Sequence, residues 1–293
     1  MTGTGRTRMG LLAGWGRYPL VVGEALRRQG YEVYCLGIKD HADPGLEAIA
    51  TEYREIGIGK LGGAIRFFRR RGVRWATMAG KLHKVLLFQR FAMWKHLPDW
   101  RAVRTFFPHW VTKTRDRKDD TLLLAVVEAF SADGIHFAPA TDFVPELLVK
   151  PGNLAGRPPL RGQWKDIQFG WQLAKEMGRL DVGQSVAVKG RAVLAVEAVE
   201  GTDLCIQRAG ELCPQGGWTL VKVAKPQQDM RFDVPTIGVH TIRNLVAARG
   251  AVLAIEAGKT IIVDEAEVVA YARRHHLTLL AVDEGVVARA GFA

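Results

Sequence analysis

Residues 9–19, MGLLAGWGRYP, decide the fold of this chain. Met9–Gly14 is short and apolar, which predicts a buried β-strand, and Pro19–Arg28 has helical apolar spacing and is followed by Gly30. The glycine turn between them would let the backbone approach a phosphate, which the amino end of the helix also favours. Because Pro19 replaces the third glycine of a dinucleotide fingerprint, a plain tight turn remains an equal alternative.

Strands and helices continue to alternate through the first half of the chain. The predicted strands are Tyr31–Ile38, Trp75–Ala79 and Ile135–Pro139. The predicted helices are Leu61–Arg71 and Thr121–Ser131, the second with Asp119 and Asp120 at its amino end. Alternation at this spacing implies a mostly parallel, Rossmann-like sheet.

A proline- and glycine-rich stretch, Lys150–Arg161, predicts an interdomain linker. We therefore expect an N-terminal Rossmann-like α/β domain at 1–150, a linker at 151–165 and a second α/β domain at 166–293. The helices predicted in the second domain are Ile167–Arg179, Val239–Arg249 and Glu265–His275. Its predicted strands lie within Ser185–Ala198, Thr219–Lys225, Ala251–Val263 and Leu277–Val282.

Composition limits the class of protein. The 293 residues are 48% hydrophobic, which is enough for two domain cores. The three cysteines form no C-x-x-C pair, which argues against a disulfide framework or a zinc site and fits a reducing cytosol. No run of about 18 uncharged apolar residues is present, so no membrane span is expected. We therefore expect a cytoplasmic protein.

The net charge of +11 is concentrated in one region. Residues 66–118 contain 15 Lys or Arg but only Asp99 and Asp116 as acids. Such a basic patch could bind phosphates, an anionic membrane or nucleic acid. Within it, residues 85–110 interleave aromatic and basic side chains, which suits a membrane interface or an acyl chain. Base stacking, or an ordinary aromatic core with a solvated basic face, fits the same pattern.

Two segments carry clustered charges that suggest chemistry. Residues 197–203, EAVEGTD, place three carboxylates within seven positions, which a divalent cation would neutralise. Alternatively, Asp203 only favours a first helical turn behind a Thr202 cap. Residues 222–235, KVAKPQQDMRFDVP, bring lysines at a strand end and then a loop with acids and an arginine. Cations bind phosphate and a carboxylate can activate water, although a structural salt-bridge loop is the other interpretation.

Two shorter motifs repeat the combination of a strand end, a glycine and a charge. Ala79-Gly80-Lys81 would project Lys81 from the carboxyl edge of a parallel sheet, where ligands gather. The alternative is a solvated lysine after a turn. Glu256-Ala257-Gly258-Lys259 has the same character with lower specificity.

Together these motifs resemble the UDP-2,3-diacylglucosamine pyrophosphatase family of the LpxI type. The matching segments, spread over nearly the whole chain, are Gly10–Pro19, Ala79–Lys81, Ala195–Asp203, Lys222–Pro235 and Glu256–Lys259. The resemblance implies two α/β domains and a magnesium-dependent hydrolysis that yields UMP and 2,3-diacylglucosamine 1-phosphate, with water attacking the phosphorus nearer the sugar. It also implies a lipid substrate at an anionic inner membrane, with no nucleic-acid partner and a homodimer as a candidate assembly.

The resemblance also assigns roles to residues of this chain. Asp233 is the first choice for the catalytic carboxylate and Asp229 the second, while Lys225 and Arg231 would clamp the pyrophosphate. The implied metal-holding residues are Glu200, Asp203 and Asp233. The implied substrate-binding residues are Gly14, Trp15, Gly16, Pro19, Gly80, Lys81, Thr202, Lys222, Gln228, Glu256, Gly258 and Lys259. Trp15 departs from the family pattern, which favours a smaller or polar residue there.

Two other functions fit part of the chain. A Rossmann oxidoreductase using NAD, with Asp40 after the second strand as ribose acceptor, would explain the first 40 residues. It leaves residues 197–203 and 222–235 without a role. A non-enzymatic binder of nucleic acid or anionic membrane through residues 66–118 would show strong salt dependence without turnover, and it fits the carboxylate-rich second half poorly.

Overall fold

The computed structural model describes residues 7–80, 97–111, 119–231 and 233–290. The chain divides into two compact units. Unit 1 comprises Met1–Pro145 together with Asp229–Phe232, and unit 2 comprises Glu146–Gln228 together with Asp233–Ala293. Each unit contains its own β-sheet with helices, so the predicted two-domain α/β class is confirmed.

Unit 1 is built on a parallel β-sheet. Its strands are β1 (Arg8–Ala13), β2 (Glu32–Ile38), β3 (Glu52–Ile56), β4 (Trp75–Ala79) and β5 (His136–Phe137). Its helices are α1 (Tyr18–Arg28), α2 (Leu46–Ile49), α3 (Leu61–Arg70), α4 (Trp100–Val111), α5 (Asp119–Ser131) and α6 (Ala140–Phe143). The strand order is β3-β2-β1-β4-β5 and every neighbouring pair is parallel, which is the expected Rossmann-like arrangement.

The opening stretch forms the predicted buried strand, β1, which the structure places at the centre of this sheet. β1 is buried beyond Arg8 because its side chains are apolar and strands flank it on both sides. Gly10 is required there, since a Cβ at this position would lie 2.9 Å from the Cβ of Ala76 on β4. The apolar face of α1 then packs on the sheet, and the chain turns back at Gly30, whose φ is +87°.

The sequence pattern did not predict β3. Among the described strands this one pairs with β2 alone, at the edge of the sheet, and Arg54 and Glu55 are exposed on it. An edge strand needs few apolar residues, and charged side chains there also discourage pairing with other chains. No apolar run therefore marks it in the sequence.

Unit 2 has a mixed six-stranded sheet and a small two-stranded one. Its strands are β6 (Gly152–Ala155), β7 (Ser185–Lys189), β8 (Ala192–Val196), β9 (Thr219–Lys222), β10 (Thr236–Ile237), β11 (Val252–Glu256), β12 (Ile261–Ile262) and β13 (Thr278–Val282). Its helices are α7 (Arg161–Arg179), α8 (Thr202–Leu212), α9 (Val239–Ala247), α10 (Glu265–Arg274) and α11 (Glu284–Ala290). The large sheet has the order β6-β13-β11-β9-β7-β8, and β10 pairs with β12.

Apolar side chains cover both faces of the large sheet. On one face α8, α9 and α10 pack over residues such as Leu220 and Leu253, with the fully buried Trp218 in the same core. On the other face α7 and α11 pack over Val221 and Ala254. Burial on both faces explains why the central strands are continuous apolar runs in the sequence.

The segment expected to be a linker, 151–165, has a different structure. Gly152–Ala155 is a strand of unit 2 that pairs antiparallel with β13, and α7 already begins at Arg161. The division between the units lies earlier, between Pro145 and Glu146. Proline and glycine are tolerated on an edge strand and at its ends, so their clustering there did not indicate a linker.

Candidate functional site

Four strands of unit 2, β8, β9, β11 and β13, end at the same edge of its large sheet, and the first three end at or beside a charged residue of the candidate site. β9 and β11 are parallel, and β8 shares their direction because β7, between β8 and β9, is antiparallel to both. Glu197 follows β8, Lys222 ends β9 and Glu256 ends β11. The carboxyl edge of parallel strands is where ligands bind in open α/β sheets. We refer to these three residues and their contacts as the polar edge.

A buried chain of hydrogen bonds joins Lys222, Thr202 and Glu197. Lys222 Nζ donates to Thr202 Oγ1 over 2.7 Å, and Thr202 Oγ1 donates to Glu197 Oε1 over 2.8 Å. Glu197 Oε2 lies 4.0 Å from Lys222 Nζ. The chain is largely removed from solvent, because Glu197 is 8% exposed and Lys222 is 4% exposed. Since Thr202 begins α8, these contacts tie the first turn of that helix to the sheet edge.

The environment of Glu197 favours its charged form. Burial alone would raise the pKa of this carboxyl group, but the ammonium of Lys222 and the hydroxyls of Ser185 and Thr202 outweigh it and lower the pKa. Glu197 is therefore a carboxylate at neutral pH. Its contact with Lys222 is a buried ionic pair.

A second buried carboxylate, Glu256, holds two lysines and a backbone amide. Its Oε2 accepts hydrogen bonds from Lys175 Nζ at 2.6 Å and from the N–H of Ala224 at 2.8 Å, while its Oε1 lies 3.0 Å from Lys259 Nζ. Lys175 Nζ also donates to the carbonyl of Ala224 over 3.0 Å. These contacts fix the backbone just after β9, where the segment 222–235 continues.

The next residues of that segment form a closed turn. Lys225 donates through Nζ to Asp181 Oδ1 over 2.8 Å, and its N–H donates to Gln228 Oε1 over 2.9 Å. Gln228 therefore contributes to the turn itself. Lys225, implied as a pyrophosphate clamp, has a carboxylate partner within unit 2.

Asp229 and Arg231 form a close ion pair. The Nε of Arg231 donates to both carboxylate oxygens, at 2.9 and 3.1 Å, its terminal nitrogen adds another contact, and its backbone N–H donates to Oδ1 at 3.0 Å. The hydrogen bonds from the guanidinium are the main reason why the pKa of Asp229 is lowered. Asp233, which is half-buried, makes no hydrogen bond or ion pair with another residue of the described chain.

The three carboxylates implied as magnesium ligands do not form a common site. Glu200 pairs with Arg208 on α8, and Asp203 Oδ2 lies 3.6 Å from His240 Nε2 at the surface. Within the described ranges, no group of three or more His, Cys, Asp or Glu side chains is close enough to hold a metal ion. Glu200, Asp203 and Asp233 therefore do not fit a three-ligand magnesium site in this structure.

The glycine turn of unit 1 packs against Gly80. The N–H of Gly14 donates to the carbonyl of Ala79 over 2.8 Å, which joins the ends of β1 and β4. Gly80 has φ +95°, and a Cβ there would lie 2.8 Å from both the carbonyl carbon of Gly14 and Cγ of Pro19. Gly16 also has positive φ, +102°, and Trp15 is 51% exposed. The turn and Gly80 thus form one backbone-lined surface, while Lys81 lies outside the described residues.

Sequence reasoning missed Lys175, which binds Glu256 at the polar edge, and Asp181, which binds Lys225. Lys175 lies on α7, and Asp181 follows that helix. The only available signal is weak: Lys175 is one helical turn after the buried Trp171, over whose ring its Nζ lies at 5.5 Å. Gly258, which was predicted, is exposed and has φ +70°. It supplies the turn that brings Lys259 back to Glu256.

The aromatic and basic segment 85–110 is described only from Leu97 onward. Trp100, at the start of α4, is 80% exposed, whereas Phe106 packs against the core of unit 1. Arg101 donates to Asp133 over 2.6 Å. Among the described residues, no helix is both long and apolar enough to cross a membrane.

These elements define a class: a two-domain α/β protein with a Rossmann-like first domain and ionisable residues at one sheet edge of the second. Residues 8–147 match the family model for the LpxI N-terminal domain, and residues 150–280 match that for the LpxI C-terminal domain. The chain belongs to the LpxI family.

The chain is similar in sequence to a curated enzyme and has been compared with a solved structure. The UDP-2,3-diacylglucosamine pyrophosphatase LpxI of Caulobacter vibrioides is 31% identical over 283 residues, which cover 94% of this chain and 98% of that protein. The solved structure of CobK precorrin-6A reductase covers 94% of this chain and 88% of its own, at 14% identity and a TM-score of 0.30. A likeness at that TM-score supports no conclusion about fold or function.

Proposed function

We propose that this protein hydrolyses the pyrophosphate bond of UDP-2,3-diacylglucosamine, a step of lipid A biosynthesis. The products are UMP and 2,3-diacylglucosamine 1-phosphate. The observation that carries the proposal is the 31% identity to a pyrophosphatase of this name over 94% of the chain and 98% of the relative. Because the match extends through both domains, neither half of that enzyme is missing here.

The polar edge of unit 2 supports this proposal chemically. Lys222 lies beside Glu197 on the face of the sheet covered by α8, whereas Lys175, on the α7 face, and Lys259 both contact Glu256. Cations at the carboxyl ends of strands are suited to the oxygens of a pyrophosphate. The alternative, an NAD-dependent reaction, assigns no function to these side chains.

Asp233 is the better candidate for the carboxylate that activates water. Asp229 accepts several hydrogen bonds from Arg231, and its lowered pKa makes it a weak proton acceptor. The same ion pair partly neutralises Arg231. Asp233 has no competing partner in the described chain, so its oxygens remain available to a water molecule or a substrate group. We therefore assign proton abstraction to Asp233.

The test is incubation of the purified protein with UDP-2,3-diacylglucosamine in water enriched in oxygen-18, followed by mass spectrometry of both products. We expect the label in 2,3-diacylglucosamine 1-phosphate, because attack is proposed at the phosphorus nearer the sugar. Label in UMP would contradict that site of attack but not the hydrolysis. Absence of both products, with a known pyrophosphatase active in the same buffer, would overturn the proposed function.

We also propose that residues 85–110 bring the enzyme to an anionic membrane surface, where a diacylated substrate resides. The strongly exposed Trp100 within a basic region supports this, since aromatic and cationic side chains favour the interface. Replacement of Trp94 and Trp100 by Ala should weaken sedimentation with phosphatidylglycerol vesicles and lower turnover of vesicle-bound substrate. Unchanged values for both would contradict the assignment.

A further inference from the structure

Glu197 is the buried acid of the polar edge to which the proposed chemistry gives no role. It directly follows β8, contacts Thr202 at the start of α8 and is 8% exposed. Its two oxygens face different partners: Oε1 accepts from the hydroxyl of Thr202 at 2.8 Å, and Oε2 lies 4.0 Å from Lys222 Nζ. One carboxylate thus contacts both residues that would meet the substrate at this end of the sheet.

Stability alone is a poor reason for this arrangement. A buried ion pair loses the hydration of both charges, and apolar residues of similar volume often serve the fold as well or better. The separation of 4.0 Å between Glu197 and Lys222 is also longer than a direct charge-assisted hydrogen bond, which is about 2.7–2.9 Å. The closest contacts run instead through the hydroxyl of Thr202. The carboxylate is therefore placed to orient that hydroxyl and to balance the lysine.

The Thr202 hydroxyl has a defined direction, because the Lys222 ammonium can only donate to it and the Glu197 carboxylate can only accept from it. Thr202 Oγ1 accepts from Lys222 on one side and donates its proton to Glu197 on the other. Glu197 is held as a carboxylate because the Lys222 charge and the hydrogen bonds from Ser185, Thr202 and the Gln184 backbone together outweigh the effect of burial on its pKa. Other groups near Glu197 include the hydroxyl of Ser185, the backbone N–H of Gln184 and the buried thiol of Cys205 on α8. None of these three carries a negative charge that could replace the carboxylate.

We propose that Glu197 is a positioning residue for the hydrolysis. It orients the hydroxyl of Thr202 and balances the charge of Lys222. Both side chains are thereby held in one geometry in which they bind a phosphate group of the substrate. This inference rests on the proposed function. Glu197 itself does not touch the substrate. Loss of Glu197 should therefore lower turnover by displacing Thr202 and Lys222, without removing a group that reacts with the substrate.

The variants separate the two contacts of Glu197. Glu197→Gln keeps an acceptor for Thr202 but removes the charge, whereas Glu197→Ala removes both. Thr202→Val deletes the hydroxyl at nearly constant shape, and Thr202→Ser restores it. Glu211→Gln is the matched control, because Glu211 is an exposed acid further along α8 that accepts a hydrogen bond from Gln207.

We expect Glu197→Ala to lower kcat about 10- to 100-fold with a much smaller change in KM, since mispositioned groups act mainly on the transition state. Glu197→Gln should lose less than Glu197→Ala. The double variant of Glu197→Ala with Thr202→Val should be hardly slower than either single variant, because both disturb one unit. Thr202→Ser should recover most of the activity that Thr202→Val loses, and Glu211→Gln should match wild type.

Circular dichroism and thermal unfolding of each variant establish the folded fraction, by which kcat is corrected. The inference is overturned if corrected kcat is unchanged in Glu197→Ala, or if the effects of Glu197→Ala and Thr202→Val multiply as for independent sites. Failure of wild type to release UMP would instead overturn the proposed function, and this inference with it. Wild-type turnover with unaffected variants refutes the positioning role alone.

Discussion

Removal of the Glu256 carboxylate should destabilise unit 2 more than any exposed charge does. Glu256 is 5% exposed and accepts from Lys175 at 2.6 Å and from the N–H of Ala224 at 2.8 Å. Loss of one partner from a buried ion pair costs about 3–5 kcal/mol. An orphaned buried amide alone costs about 1–3 kcal/mol. Because the Lys175 side chain is 21% exposed, water can relieve part of the charge penalty.

We therefore expect Glu256→Ala to lower the free energy of unfolding by about 3 kcal/mol, towards the low end of the range for buried pairs. Glu256→Gln should cost less, about 1–2 kcal/mol, because its amide oxygen still accepts from Ala224. Lys259, whose side chain is 54% exposed, should add little, since exposed pairs contribute about 0–1 kcal/mol. The ranking follows directly from what each substitution leaves without a partner.

The assay is urea unfolding followed by tryptophan fluorescence and circular dichroism, with midpoints and slopes compared. Glu267→Gln is the control, because its 3.7 Å contact with Arg243 joins two side chains that are both 56% exposed. A double variant, Lys175→Met with Glu256→Met, should recover much of the lost stability, since neither charge is then left unpaired. A cost below about 1 kcal/mol for Glu256→Ala, or one equal to that of Glu267→Gln, would refute the reasoning.

Four further outcomes are expected. Asp233→Ala should reduce kcat by about 10²–10⁴ with nearly unchanged melting temperature, and wild-type-like turnover would move the assignment to Asp229. Gly80→Ala should destabilise the protein by about 2 kcal/mol or more, measured by urea unfolding, because the new methyl meets backbone 2.8 Å away at φ +95°. The magnesium requirement that the family resemblance implies has its own test, since Glu200, Asp203 and Asp233 form no common site: turnover should cease in excess chelator and return with added magnesium, and full activity in chelator would contradict it. Since the folded-state pKa of Glu197 is lowered, its stabilisation is complete above the ordinary glutamate value of about 4.3 and is lost as pH falls below it. Wild type should therefore lose more unfolding free energy than Glu197→Gln when the pH of the urea titration is lowered from 6 to 3.

The fold was predictable wherever burial imposed a pattern. β1, β2 and β4 are apolar runs with helices between them, and their order in a parallel sheet follows from that alternation. The edge elements were not predictable in the same way. β3 carries charges because its outer side faces solvent, and β6 reads as a linker because its partner, β13, lies more than a hundred residues away.

Of the residues in the candidate site, only those at the ends of strands could be predicted from the sequence. Lys222 and Glu256 were identified because a charge beside the end of a buried strand is conspicuous in the sequence. Their partners were not, since Lys175 meets Glu256 only after α7 packs on the sheet. The pairing of Asp229 with Arg231 is local, yet the sequence does not say whether that arginine faces its neighbour or a ligand.

The short connection from β8 through α8 to β9 has a consequence for the order in which the polar edge assembles during folding. Lys222, at the end of β9, and Thr202, at the start of α8, are only 20 positions apart, whereas Lys175 and Glu256 are 81 apart. Closing the longer loop costs about 1.2 kcal/mol more in chain entropy by logarithmic scaling. Contacts of short separation also form sooner on average. The Glu197 half of the edge can therefore form before the sheet is complete, whereas the Glu256 half must wait for β11.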